Sequence, residues 1–221
     1  AVRHSPRVGG RIGALDARAA RAVPGVVDVV ALGDRAVAVL AGDTWTAQRG
    51  AALLGMEPVA TDPVKPDSDV LQRSSREALD GNGASIFRDD EGVPAALGSD
   101  PLTAVYELPF LAHACMEPMN CTALFEPGSA TGERLTVWAP TQAPSIARDE
   151  AAKAAGLLPA QVEIRPTLMG GGFGRRAEMD FVVEAARAAR AVPGRPVKLT
   201  WSREEDLRHD MYRPAATGRV R

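Results

Sequence analysis

The apolar positions of this chain change their spacing from one stretch to the next, and each spacing predicts an element. Val26–Ala31 and Ala36–Leu40 are short, nearly continuous runs of Val, Ala and Leu around Gly33-Asp34. That is the pattern of two strands joined at a tight break. Upstream, Arg11–Leu15 reads as a strand, Ala17–Val23 as a short helix and Pro24-Gly25 as a turn. Downstream, Ala47, Ala51 and Leu54 recur at helical spacing, which predicts a helix over Thr44–Leu54, capped by Thr44 and ended by Gly55. Periodicity is then lost. Residues 61–101 are rich in Asp, Ser, Gly and Pro, with one helical pattern at Ser68–Leu79.

From Thr103 the pattern tightens again. Thr103–Leu108, Thr122–Phe125, Arg134–Ala139, Val162–Leu168 and Val197–Trp201 read as strands. Ser145–Ala155 is an Ala-rich helix that starts after Pro144 and stops at Gly156. Glu178–Ala191 is the clearest helix. Its stripe is Val182, Ala185, Ala186 and Ala189, with acids in the first turn and Arg187 and Arg190 in the last. Ser202 and Glu205 fit a capping box for a final short helix. Strands and helices in this mixture, without an internal repeat, give an α+β chain.

Composition narrows the function classes. The chain has 221 residues, of which 45% are apolar and 24% charged, an ordinary globular mix for one large or two small domains. No apolar run reaches the ~18 residues of a membrane-spanning helix. The 26 basic and 28 acidic residues leave a net charge of −2, so nothing argues for a nucleic-acid partner. Two cysteines, Cys115 and Cys121, are too few for a disulfide scaffold or a four-cysteine iron–sulfur site, although one local disulfide stays open.

Three segments carry candidate chemistry. Gly170-Gly171-Gly172-Phe173-Gly174-Arg175-Arg176 lies between a strand and the strongest helix. Three successive glycines remove all Cβ bulk, and the amides that follow point outward near an expected helix start, a setting that favours anionic groups. Gly172–Ala177 also fits a G-x-G-x-x-A dinucleotide variant. The strand before it alternates apolar with charged residues and contains Pro166, unlike the doubly buried strand such a site requires. The second segment, Trp138–Pro144, again joins a strand to a helix. If the two strands are parallel, both loops open at one sheet edge, and Gln142 faces the amides of Phe173 and Gly174. The third, His113–Cys121, has metal-ligand residue types at a spacing that matches no zinc pattern, and it reads best as a packed loop. Cys115 would need a base as a catalytic thiol, and His113 is the local choice. His209 reads as structural, and His4, near the end, as uninformative.

Taken in order, His113–Cys121, Trp138–Pro144 and Met169–Arg176, with Thr200–Asp206 and Tyr212-Arg213-Pro214, resemble the molybdenum hydroxylases of the xanthine dehydrogenase and aldehyde oxidase type. Among these they are most similar to the isoquinoline 1-oxidoreductase type of large subunit. The resemblance implies an α/β hammerhead-like domain at 1–80, a linker at 81–102, and the first part of an α+β molybdopterin-binding domain at 103–221. It implies a molybdopterin cofactor with molybdenum, in its cytosine dinucleotide form, and a [2Fe-2S] centre on a separate iron–sulfur small subunit. It also implies oxidation of an aromatic N-heterocycle or an aldehyde with oxygen from water. Gln142 and the amides of Phe173 and Gly174 would hold cofactor ligands, with Gly170, Gly171 and Gly172 allowing close approach and Arg175 beside them. The family's catalytic glutamate belongs to a later segment, so the chain is expected to be a piece of a longer subunit, inactive by itself. The compartment stays open between bacterial cytoplasm and periplasm. Two departures stand out: Ala177 lies where many relatives have Glu, and Arg175-Arg176 fits only the isoquinoline-type branch. A non-catalytic interaction module and a dinucleotide-binding oxidoreductase are the alternatives.

Overall fold

Apolar runs that are buried on both faces become central strands, and the N-terminal part of the chain shows this directly. A computed structural model describes residues 1–59, 67–81, 83, 85–129 and 132–221. In chain order the first elements are β1 (Val2–His4), β2 (Ile12–Asp16), α1 (Arg18–Arg21), β3 (Val26–Ala31), β4 (Ala36–Ala41), α2 (Thr44–Ala52) and β5 (Gly55–Pro58). Strand β4 sits between β1 and β3, antiparallel to both. Its Ala36 and Ala38 join one core while Val37 and Val39 join another, which explains the unbroken apolar run. Helix α2 is capped one residue earlier than expected: the Asp43 carboxylate accepts the Thr46 N–H at 2.8 Å. Gly55 does not merely stop that helix; it opens β5, which pairs with β2.

The next elements are α3 (Ser68–Ala78), α4 (Val93–Leu97) and β6 (Ala104–Leu108). The polar stretch from 61 to 101 thus holds a second short helix besides the expected one. Residues 60–66, 82 and 84, which fall in or beside that stretch, lie outside the described residues.

The last part contains β7 (Asn120–Ser129), β8 (Gly132–Ala139), α5 (Pro144–Ala155), β9 (Val162–Pro166), α6 (Asp180–Ala191), β10 (Val197–Thr200), α7 (Arg203–Arg208) and β11 (Ala216–Val220). Four of these strands form a sheet in the order β10-β7-β8-β9, antiparallel except for the parallel pair β8–β9. The expected stripe of α6 is fully buried: Val182, Ala185, Ala186 and Ala189 are all 0% exposed. Helix α5 ends as expected, with Gly156 in the left-handed region (φ +67°). Strand β11 pairs with β6, which the sequence pattern did not indicate.

Contacts divide the chain into two units. One joins Ala1–Thr61 to Ala112–Met211, and the other joins Asp62–Leu111 to Tyr212–Arg221. The α+β mixture expected from the sequence holds in both. Among the described residues no helix is long and apolar enough to cross a membrane.

Candidate functional site

Parallel pairing of β8 and β9 sends two connections out at one sheet edge. The pairs Trp138↔Arg165 and Ala139↔Pro166 end the register. Beyond them the chain runs into Pro140–Ala143 on one side and Thr167–Gly174 on the other, the placement where open sheets present ligand-binding loops. The two loops are tied together. The Gln142 N–H and the Thr141 hydroxyl both donate to the Arg176 carbonyl, at 3.0 and 3.1 Å. The Thr167 N–H donates to the Ala139 carbonyl at 3.1 Å.

The Gln142 side chain reaches across this junction. Its Oε1 accepts the Gly174 N–H at 3.0 Å. Because a backbone N–H only donates, it fixes which end of the amide carries oxygen. The Gln142 Nε2, with two hydrogens, then has no acceptor among the described residues. The backbone N–H groups of Gly171, Gly172 and Phe173 likewise meet no acceptor among the described residues. Four neighbouring groups therefore present donors and no charge, an arrangement suited to oxygen or sulfur acceptors. Phe173 holds a left-handed backbone (φ +53°), rare for a bulky residue, and its ring is exposed. The expected pairing is thereby changed. The Gly174 N–H is taken by Gln142, and the Phe173 N–H stays open.

The glycines serve internal packing first. A Cβ on Gly172 would lie 2.7 Å from Gln142 Oε1, and one on Gly170 would lie 2.5 Å from the Glu117 Cβ. Each allows another side chain to close over the loop. Nor does the loop run straight into a long helix. A 3₁₀ turn at Arg175–Ala177 intervenes, and α6 starts only at Asp180, so the open donors are the loop's own amides.

The two arginines face inward. Arg175 is 1% exposed. Its guanidinium forks onto Asp180 at 3.0 and 2.7 Å, brings Nε to 2.8 Å from Asp210, and lies 5.4 Å from the Trp201 ring centroid. The side chain thus braces the base of the loop, away from the open donors. Arg176 donates from Nε to the Gly171 carbonyl (2.8 Å) and from a terminal nitrogen to the Glu117 carbonyl and Oε2 (2.7 and 3.0 Å).

The His113–Cys121 segment belongs to the same construction. Glu117 and Gly170 exchange two bonds: the Gly170 N–H donates to Glu117 Oε2 (2.8 Å), and the Glu117 N–H donates to the Gly170 carbonyl (3.1 Å). Burial pushes the Glu117 carboxyl up, but bonds from Gly170 and Asn120 and the Arg176 charge outweigh it, and its pKa is lowered. Asp210 accepts the His113 N–H and lies 3.1 Å from its Nδ1. Sequence reasoning weighed Glu117 only as one metal-ligand type in the His113–Cys121 loop, not as a partner of the glycine segment, and it missed Asp210, which lies 97 residues from the histidine it holds. Cys115 and Cys121 are free, buried thiols, so no disulfide forms. Burial, first of all, raises both pKa values. That is the reverse of what a catalytic thiol requires.

The described structure also argues against the dinucleotide reading, because β9 is an edge strand with one well-buried residue, Val162. A cavity of about 240 Å³ in the same unit is lined by Leu40, Thr44, Ala188 and Lys198 among others, and by none of the loop residues.

Comparison with known proteins places these features in a family. Residues 87–221 match the molybdopterin cofactor-binding domain. The chain is 33% identical to the isoquinoline 1-oxidoreductase subunit beta of Brevundimonas diminuta over 93% of its own length and 27% of the relative's. It is 30% identical to a membrane-bound aldehyde dehydrogenase of Gluconacetobacter polyoxogenes, whose name carries pyrroloquinoline quinone, over 97% of this chain and 28% of that protein. The fold resembles quinoline 2-oxidoreductase from Pseudomonas putida 86 (TM-score 0.66, 24% identity, 93% of this chain and 31% of that one). It also resembles the aldehyde oxidoreductase of Desulfovibrio gigas (TM-score 0.68, 18% identity, 97% and 28%). The chain spans just over a quarter of the length of the curated relatives it matches.

Proposed function

The chain belongs to the molybdopterin cofactor-binding domain family, and on that premise we propose that it supplies one wall of the cofactor site in the large subunit of a molybdenum-dependent oxidoreductase. The observation that carries this reading is the set of open donors at one sheet edge: the amides of Gly171, Gly172 and Phe173 and the amide nitrogen of Gln142. Neutral donors held rigid before a ligand arrives suit a group that presents oxo and dithiolene acceptors. The residues therefore fit the cofactor. Gln142 and Phe173 would hold it, and Gly170 and Gly174 would act indirectly, through Glu117 and Gln142. When bound, the cofactor supplies the hydroxylation of a C–H carbon with oxygen from water. The chain's own contribution is to place donors and to keep them from collapsing onto one another.

The finer reading follows the isoquinoline-type relative: a molybdopterin cytosine dinucleotide, an iron–sulfur partner subunit carrying [2Fe-2S], and an aromatic N-heterocycle or aldehyde as substrate. The remainder of the large subunit would complete the pocket. Several relatives are named as single subunits of larger enzymes, which supports the division of labour. The test is to express the complete natural protein with its neighbouring gene product, then to measure molybdenum, pterin and oxidation of N-heterocycles and aldehydes. Stoichiometric molybdenum with such an oxidation is expected. A metal-free, inactive assembly would overturn the proposal.

A further inference from the structure

Two histidines that the sequence separates by 205 positions meet in one unit. His4 ends β1, while Glu205 and His209 lie one helical turn apart at α7, on the same face. The two imidazole centroids are 4.6 Å apart. His4 Nδ1 lies 2.7 Å from Glu205 Oε2, and His209 Nε2 lies 3.7 Å from the same oxygen. One ligand atom from each of the three residues falls within 4.8 Å of the others. The side chains are 10%, 4% and 10% exposed.

His209 Nε2 is buried and has no hydrogen-bond partner among the described residues, although it is aimed at this carboxylate. Native interiors rarely leave such an atom unmatched. The surroundings match those of a bound cation. His4 Nε2 lies 2.7 Å from Glu184, whose other oxygen accepts the Trp201 N–H at 2.8 Å. That is the outer carboxylate which typically orients a metal-bound histidine. Arg3 Nε lies 3.0 Å from Glu205 Oε1, while Oε2 accepts the His4 backbone N–H at 2.9 Å and keeps its other lone pair for the imidazole side.

We propose that His4, Glu205 and His209 bind a divalent transition ion of the zinc class, independently of the molybdenum centre. Two imidazoles and one carboxylate are donors that zinc, cobalt and nickel accept at ~2.0–2.2 Å; seating an ion requires the 2.7 Å contact between His4 and Glu205 to open and the His209 ring to close.

The experiment uses the whole chain, stripped with chelator and titrated with Co²⁺ and then Zn²⁺. One equivalent of Co²⁺ should give visible d–d bands that Zn²⁺ displaces. Excess Zn²⁺ at about 100 times Kd should raise the Tm by roughly 5–10 °C. His209→Ala removes the unpartnered ring nitrogen and should bind on the order of 100-fold more weakly; loss of the buried ring lowers the metal-free Tm, so the Zn²⁺-dependent shift is read against the variant's own metal-free value. His209→Gln, closer in size, serves if the alanine variant does not fold. No bands and no Tm shift in the unaltered chain, or bands that survive loss of His209, would overturn the proposal.

Discussion

Replacement of Arg175 by Met separates its two possible roles. The residue stands in the glycine segment, where a cofactor contact was expected, but its guanidinium points away from the open donors. Met keeps the length and loses the charge. Three close contacts disappear: two to Asp180 at 3.0 and 2.7 Å, and one to Asp210 at 2.8 Å. Their costs differ. The Asp180 side chain is 24% exposed and can take up water, whereas Asp210 is 2% exposed and cannot. Asp210 keeps its bonds from His113 but loses its neutralising charge. Removing one partner of a buried pair costs about 3–5 kcal/mol, mostly from the charge left behind. The lost packing over Trp201 adds to this. At roughly 2–4 °C per kcal/mol for a chain of this size, the Tm should fall by roughly 6–20 °C. Thermal and urea unfolding followed by tryptophan emission measure the effect. A change under about 1 kcal/mol would refute the bracing role. If it came with weakened pterin retention in the complete subunit, Arg175 would return to the cofactor.

Other substitutions test the loop and the fold separately. Gln142→Ala should cost only about 0.5–1.5 kcal/mol of stability, since the group is exposed and loses one hydrogen bond, while lowering molybdenum retention in the complete subunit; unchanged retention and turnover would remove it from the site. Gly172→Ala places a Cβ 2.7 Å from Gln142 Oε1, so the Gly174 amide resonance should shift as its acceptor is displaced, and an unmoved resonance would count against the contact. Asp43→Ala should destabilise α2 by about 0.5–2 kcal/mol in a urea titration, whereas Thr44→Ala should leave the cap intact; the reverse order would restore Thr44 as the capping residue. Cys115 and Cys121 should resist a thiol reagent at pH 8 until the chain is unfolded, and rapid reaction of either in the native state would contradict their burial.

Local patterns were legible where one segment determines its own element. The strands at 26–31 and 36–41, the stripe of α6 and the Gly156 stop follow from periodicity and backbone preference alone. Boundaries moved where a neighbouring side chain competed. Asp43 took the cap from Thr44. Glu205, expected to complete a capping box, instead turned its carboxylate to Arg3 and His4, leaving only the Ser202 half of the box. β1, β5 and β11 are short strands stabilised by pairing rather than by their own composition, so no window of sequence announces them.

The site divides in the same way. The sequence by itself singled out two strand-to-helix connections, one with Gln142 and one with four glycines, as candidates, because residues without side chains and an amide between prolines are informative locally. Only the tertiary structure decided what each residue does there. It turned Arg175 and Arg176 inward, spent the Gly174 amide on Gln142, and drew Glu117 in from 53 positions away. It also brought His4 to His209. The physical reason is that hydrogen bonds and ion pairs form between groups that folding makes adjacent. A single sequence records which groups exist, and the sheet register records which of them meet.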